Sequence, residues 1–383
     1  MEQINVVIVG HTGAGKSTLI KRLLGETNFT SKEVLPENPK GLEGCLSSII
    51  STQFGERNYS FIEFSNQKEF LTDIAKGAVA VNAAILVIDA SKKLRDQVCH
   101  YAYLLSMFGI KQTIVIVNKM DIKRYNRINF WQMSEEVAEL LEKLKIHIID
   151  IIPASAEYGD NINTKSPQMD WNTSDNIKKS LDYFTAPENF AQHPLRLIVQ
   201  STFLSDQGAK ILAKITSGKL FHDHKLTFGP IHQTAKVISI EVDNHQRISA
   251  SSGESIALVL EDIDYIERGQ VGFNICHPPL TADFLNVEVF WIDDKSLQLA
   301  DKVDILCGTN CRSGQVEKIT KIRNPAFLEA KFNHVDQLAE SQVANVRIKL
   351  DYPICIDLFE TLPYLGMCTI FLDGKISGGG ILE

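Results

Sequence analysis

A parallel α/β domain followed by two β-barrels is the fold this sequence predicts, and three observations predict it. First, an apolar run of strand length at residues 4–9 leads into Gly10-His11-Thr12-Gly13-Ala14-Gly15-Lys16-Ser17, and a helical segment follows. Second, up to about residue 185 apolar strand runs alternate with helical segments, the pattern of a parallel sheet covered by helices. Third, after about residue 190 short β-rich runs are separated by Gly, Asp, Asn and Ser turns at close spacing, with few helix signals, and this suits one or two barrels.

The first element is the most specific. Gly10 to Ser17 matches G-x-x-x-x-G-K-[ST] without a mismatch, and it stands between a strand and a helix, the context that makes such a loop a phosphate cradle. Its glycines let backbone N–H groups turn toward phosphate oxygens. The helix N-terminus adds a favourable dipole. Lys16 would reach the β- and γ-phosphates, the Ser17 hydroxyl would bind Mg²⁺, and Thr18 closes the loop.

The strand run 113–117 ends at Asn118-Lys119-Met120-Asp121. Such a position lies at the C-terminal edge of a parallel sheet, where these folds bind ligands. Asp121 can accept from guanine N1–H and its exocyclic amine, a donor pair that adenine lacks. The Lys119 stem can lie against the base, and Asn118 can tie this loop to the phosphate loop. The strand 148–152 then leads to Pro153-Ala154-Ser155-Ala156, which resembles the short Ser-Ala loop through which GTPases present a backbone N–H to the guanine oxygen. Phosphate loop and base loop together imply GTP/GDP as ligand with Mg²⁺. An amphipathic helix is expected at 134–145 and another near 174–184, then a linker at 185–189. The expected domains are 1–187, 188–280 and 281–383, with Pro278-Pro279 at the second boundary. Gly378-Gly379-Gly380 reads as a turn or bulge in a last strand.

Composition narrows the function classes. The 383 residues carry a formal net charge of −8, which argues against a dominant nucleic-acid-binding surface. No run of about 18 apolar residues suggests a membrane span, and the chain enters a strand at once, so a signal peptide is not expected. The seven cysteines are odd in number and scattered, which fits reduced thiols in a cytoplasmic protein. His11 reads as a loop-packing residue, His100 as packing or surface, Cys276-His277 as lacking metal partners, and Lys92, Lys93 and Arg95 as a solvated helix start.

A GTP-binding α/β domain before two barrels resembles elongation factor Tu and its relatives. Residues 103–121 resemble most the large, GTP-binding subunit of bacterial sulfate adenylyltransferase, as do 152–162, 169–171, 237–242, 253–262, Phe290-Trp291 and the tail 374–382. That resemblance implies a GTPase that assists a small catalytic nucleotidyltransferase subunit, which makes adenosine 5′-phosphosulfate from ATP and sulfate. Two other readings stay open: a translation-factor-like protein binding tRNA or the ribosome, and a non-hydrolysing GTP-bound scaffold.

The resemblance breaks at the switches. Where the family has Gly-Ile-Thr in switch I, this chain has Gly44-Cys45-Leu46, and Leu46 cannot ligate a metal. Where the family has Asp-x-Pro-Gly-His, this chain has Glu63-Phe64-Ser65-Asn66-Gln67. Glu63 keeps a carboxylate toward Mg²⁺, one methylene longer than Asp. Gln67 stands where the family has its catalytic His, and is either a water-positioning residue or a sign of a decayed switch. Tight or moderate GTP binding with slow or partner-dependent hydrolysis is expected, with Lys16 and Gln67 as the catalytic candidates.

Overall fold

In the computed structural model, the described residues are 2–25, 31–33, 48–64, 66, 69–71, 81–186, 188–205, 208–261, 266–325, 330–331 and 337–383. The switch I residues Gly44-Cys45-Leu46, and Ser65 and Gln67 of switch II, lie outside them. The chain divides into two compact units, one built from most of the first 187 residues and the other from most of the remainder.

The first unit holds a seven-stranded sheet. Its strands are β1 (Gln3–Val9), β2 (Ser31–Glu33), β3 (Ser48–Phe54), β4 (Arg57–Glu63), β5 (Ala83–Asp89), β6 (Gln112–Asn118) and β7 (His147–Pro153), in the order β2-β3-β4-β1-β5-β6-β7. The five strands from β4 to β7 across the sheet run parallel, and β2 and β3 are antiparallel additions on the β4 side. β1, β5 and β6 are near-continuous runs of Ile, Val, Leu and Ala because strands covered on both faces need no polar alternation. The C-terminal ends of β1, β4, β5, β6 and β7 therefore share one edge.

Helices α1 (Lys16–Leu24), α2 (Arg95–Met107), α3 (Arg127–Lys143) and α4 (Ile177–Ser180) connect these strands or follow them. α3 begins earlier than the sequence pattern suggests. The Asn126 side chain caps it by accepting from the Asn129 N–H, and the buried stripe Phe130, Met133, Val137, Leu141 runs from its first turn. Ser134, where the sequence reading placed the start, instead donates its hydroxyl to the Phe130 carbonyl inside the helix (2.8 Å). The expected helix near 174–184 is shorter, Ile177–Ser180 capped by Asn176, and continues as a 3₁₀ turn over Leu181–Tyr183.

The second unit contains two six-stranded antiparallel barrels. The first is formed by β8 (Arg196–Ser205), β9 (Gly208–Ser217), β10 (Lys225–Gly229), β11 (Gln233–Val242), β12 (Ser255–Glu261) and β13 (Val271–Phe273). The order is β10-β13-β8-β9-β12-β11, and the β10–β11 pairing closes it. The second barrel is formed by β14 (Leu280–Trp291), β15 (Lys302–Cys307), β16 (Asn310–Arg323), β17 (Val343–Ile356), β18 (Met367–Leu372) and β19 (Lys375–Leu382). Its order is β15-β18-β19-β14-β17-β16, closed by β15–β16. Closure leaves neither barrel with a raw edge.

Each barrel has its own apolar core. Between them, the buried Arg196 guanidinium donates to both carboxylate oxygens of Asp357 (2.7 and 3.0 Å) and to the His277 carbonyl. Gly378-Gly379-Gly380 is not a turn, and it adjoins a register shift between β18 and β19, where Ile370 faces Gly378 and Phe371 faces Ile376. It lies inside β19 paired with β14, where a Cβ at Gly378 would come within 2.7 Å of the Trp291 ring and one at Gly380 within 2.0 Å of the Glu288 carbonyl. Close approach to the indole requires glycine at 378, and close approach to the β14 backbone requires it at 380. Cys307, the sequence neighbour of Cys311, instead faces Cys368 across the β15–β18 pairing, and the two are mutually buried free thiols.

Candidate functional site

The phosphate loop leaves β1 and enters α1. The Ala14 N–H closes a turn on the His11 carbonyl, and the Leu19 N–H bonds to the Gly15 carbonyl as the first helical link. Gly15 caps α1 in a left-handed conformation (φ 97°), and a Cβ there would sit 2.3 Å from the Asn118 amide nitrogen. Gly10 passes so close to β5 that its Cβ would meet the Val87 carbonyl at 2.2 Å. Only glycine fits at either point.

Lys16 is 6% exposed, and its ammonium donates to the Gly10 carbonyl (2.8 Å), so it arches back across the loop. Burial pushes its pKa below the usual lysine range, against the upward pull of Glu63 and Glu69. His11 is exposed, with its Nδ1 2.7 Å from the Thr12 carbonyl, so it does not pack the loop as the sequence reading supposed. A short exposed loop gives the ring nothing apolar to cover. Thr12 and Gly13 are also exposed, Ala14 is buried and Thr18 half-buried.

The base-reading side comes together fully. Asn118, 1% exposed at the end of β6, donates to the Ala14 carbonyl (2.7 Å) and accepts from the Ala156 N–H (2.9 Å). One side chain thus ties the phosphate loop to the loop after β7; the sequence predicts only the tie from the Asn118 loop to the phosphate loop. The Ser155 hydroxyl donates to Asp121 (2.6 Å) and orients that half-exposed carboxylate. In the loop expected to present a backbone N–H to the base, the Ala156 N–H has Asn118 as its partner. Behind this edge, Asp160 accepts from Tyr125 (2.9 Å) and Ser166 (2.6 Å), and the Arg22 guanidinium of α1 donates to the Glu157 carbonyl (2.7 Å).

One member of the site was missed in the sequence. Asp89, at the end of β5 and 1% exposed, accepts from the Lys119 ammonium (2.7 Å) and from both the N–H and the hydroxyl of Ser91 (2.9 and 2.6 Å). Burial pushes its pKa up, but the Lys119 and Ser91 hydrogen bonds outweigh it and hold the carboxyl below its usual range. Lys119 is in a left-handed conformation (φ 63°), a strained state for a lysine, and the ion pair is what holds its side chain there. The available signal was a charged residue closing an otherwise apolar run that ends at the ligand-binding edge of the sheet.

The switch side is different in texture. Glu63 ends β4, and the Ser17 hydroxyl donates to its carboxylate (2.5 Å), so the two expected metal residues do meet. Phe64 is fully buried and packs edge-on against Phe70, which packs edge-on against Phe108 just past α2. Asn66 has a local use: its side chain accepts from the Glu69 N–H (2.9 Å) and donates to the Glu69 carboxylate (3.1 Å), capping the helical turn that opens at residues 69–71. Among the described residues no cluster of three or more His, Cys, Asp or Glu could cage a metal. A hydroxyl and a carboxylate beside a phosphate loop nonetheless fit Mg²⁺, which prefers a few hard oxygen donors plus phosphates to an all-protein cage. When bound there it would neutralise phosphate charge.

A phosphate loop after the first strand, an Asn-Lys-x-Asp loop after a later parallel strand, and two following barrels define a GTPase-type nucleotide-binding protein of translation-factor architecture. The chain belongs to the elongation factor Tu GTP-binding family: the family described as "Elongation factor Tu GTP binding domain" matches residues 1–217, and "GTP-eEF1A C-terminal domain-like" matches residues 285–383. It is 28% identical over 417 aligned positions to elongation factor 1-alpha of Methanopyrus kandleri, covering 99% of this chain and 97% of that one. It is 25% identical to elongation factor 1-alpha of Methanothermobacter thermautotrophicus, with the same coverage. Among solved structures, sup35 complexed with GMPPNP aligns over all of this chain and 93% of its own at 19% identity, with a TM-score of 0.49. Sulfate adenylyltransferase is not among these relatives, so the specific resemblance read from residues 103–121 is not shown. No helix among the described residues is long and apolar enough to cross a membrane.

Proposed function

We propose that this chain is an elongation-factor-like GTP-binding protein that holds Mg²⁺-GTP or GDP and turns GTP over slowly or only with a partner. The observation that carries the reading is the position of Asn118, bonded at once to the phosphate loop and to the loop after β7. Around it, Gly10 to Thr18 would cradle phosphates, Lys16 would turn its ammonium from Gly10 to the β- and γ-phosphates, and Asp121 would select guanine. Ser17 and Glu63 would hold the metal. The loop of Ser155 and Ala156 would back the base.

The relatives' name, elongation factor 1-alpha, favours a translation-type role over the sulfate-activating one. The second reading, a subunit assisting a small ATP-cleaving nucleotidyltransferase, rests on the text of residues 103–121, 152–162 and the further stretches that resemble that subunit. A net charge of −8 makes a dominant RNA-binding surface unexpected, so the nucleotide-dependent partner is proposed to be a protein. Titration with fluorescent GTP, GDP and ATP tests the core reading: both guanine nucleotides should bind at one per chain and ATP should not compete. Equal affinity for ATP would overturn it. A pull-down in Mg²⁺-GTP then separates the two partner readings, because recovery of translation components supports the first and a stoichiometric nucleotidyltransferase the second.

A further inference from the structure

The chain leaves β4 at Glu63, and the next residue, Phe64, is fully buried. Further on, Phe70 is fully buried too, and the two rings meet edge to face with centroids 5.3 Å apart and planes at 88°. Phe70 meets Phe108 in the same manner, at 6.4 Å and 73°. Edge-on contact is a favoured geometry of packed phenylalanines. Phe108 belongs to the scaffold: it caps the end of α2, its N–H bonded to the Leu104 carbonyl (3.0 Å), and α2 packs against β5.

Between the two phenylalanines the chain is tied to itself. The Asn66 side chain accepts from the Glu69 N–H (2.9 Å) and donates to the Glu69 carboxylate (3.1 Å), and the Phe70 N–H bonds to the Asn66 carbonyl (3.3 Å). Asn66 itself is exposed, and Leu71 beyond it is fully buried. In a switch that senses a γ-phosphate, a segment is ordered by contacts to that phosphate and let go on hydrolysis. Here the chain supplies ordering contacts of its own. Drawing Asn66 toward a phosphate would pull Phe64 or Phe70 out of its packed site. A ligand moves an equilibrium only by as much as it binds the two states differently, and one hydrogen bond to a charged group is a smaller term than a vacated phenylalanine site.

We propose that the Phe64–Phe70–Phe108 stack is a lock that holds Phe64, Asn66 and residues 69–71 in one arrangement in both the GDP and the GTP form. This edge then presents the same surface whichever nucleotide is bound. The proposal rests on the nucleotide reading given above.

Residue-resolved amide hydrogen exchange tests it on the full chain, with Mg²⁺ and either GDP or the β,γ-imido analogue of GTP. The reporters are the Glu69 and Phe70 amides, which both bond to Asn66. In the wild type their protection should agree within about twofold between the two nucleotides. Phe64→Ala removes one ring of the lock, and protection in its GDP form should fall by about tenfold or more. Thermal unfolding verifies that the variant folds. If it does not, Phe64→Leu keeps an apolar side chain without the ring, and a loss of about threefold is expected there. A tenfold difference between the two nucleotides in the wild type would overturn the lock, as would unchanged protection in the Phe64 variants. Both results leave the nucleotide reading intact. A wild type that binds neither nucleotide would overturn both.

Discussion

The base-reading edge and the switch edge of one sheet are built to different standards. At the ends of β5, β6 and β7, each polar side chain has a partner in the chain: Lys119 donates to Asp89, Ser155 to Asp121, and Asn118 to the Ala14 carbonyl. At the end of β4, Glu63 lies where the family pattern has Asp, Asn66 spends its side chain on a helix cap, and position 67 is Gln. The contrast teaches that recognising guanosine and reading out its γ-phosphate are separable properties. On the function proposed here, this chain would keep the parts for the first and have replaced parts of the second.

The largest expected effect comes from the element both edges share. Lys16→Ala removes the only lysine inside the phosphate loop, and loss of about 4 kcal/mol in GTP and GDP affinity is expected, from charge-assisted bonds worth about 1.5–3 kcal/mol each. Equilibrium fluorescence titration measures it. On the base side, Asp121→Asn should weaken GTP by about a hundredfold and let xanthosine nucleotides compete, since an amide can donate to the oxygen that xanthine carries in place of the amine. A smaller effect is expected for Asp89→Asn, which leaves Lys119 without its anion and should weaken GDP by about tenfold, a charged hydrogen bond's worth.

The sign of the pH dependence follows from the same pair. The folded Asp89 carboxyl is held below the ordinary range of an aspartate, so its contribution to stability is fully present above that range and is lost as pH falls through the lower folded pKa. Acid unfolding of the wild type should therefore be steeper than that of Asp89→Asn in the window below about pH 4. The smallest effect is expected at the switch: Gln67→Ala should change the hydrolysis rate by less than about threefold, whereas a working acid–base or water-handling residue is worth about a hundredfold or more. A hundredfold loss would show that Gln67 positions water after all and would erase the contrast.

Much of this was legible in the sequence because the signals are short and local. The phosphate loop sits between a strand and a helix, and Asn118 ends a continuous apolar strand, so their positions follow from chain order alone. The architecture of two barrels was visible in turn spacing. What escaped depended on contacts distant in sequence. Asp89 looks like the last residue of a strand until Lys119 comes 2.7 Å from it. The three glycines of β19 look like a turn until β14 is placed against them. Ser134 looks like a helix start because serine caps helices, yet the apolar stripe from Phe130 overrides it. Asn66 stands where the family pattern has Gly, and in three dimensions it is a cap.

The central claim is retained guanine-nucleotide binding beside an altered switch, and a single-turnover assay tests it most directly. The protein is loaded with stoichiometric GTP and Mg²⁺, and bound GTP and GDP are followed over time. The account predicts one GTP per chain, hydrolysed no faster than about 10⁻³ s⁻¹ in the absence of a partner, the scale of an unstimulated GTPase. Turnover of the isolated chain at about 1 s⁻¹ or faster, the scale of a stimulated GTPase, would contradict it.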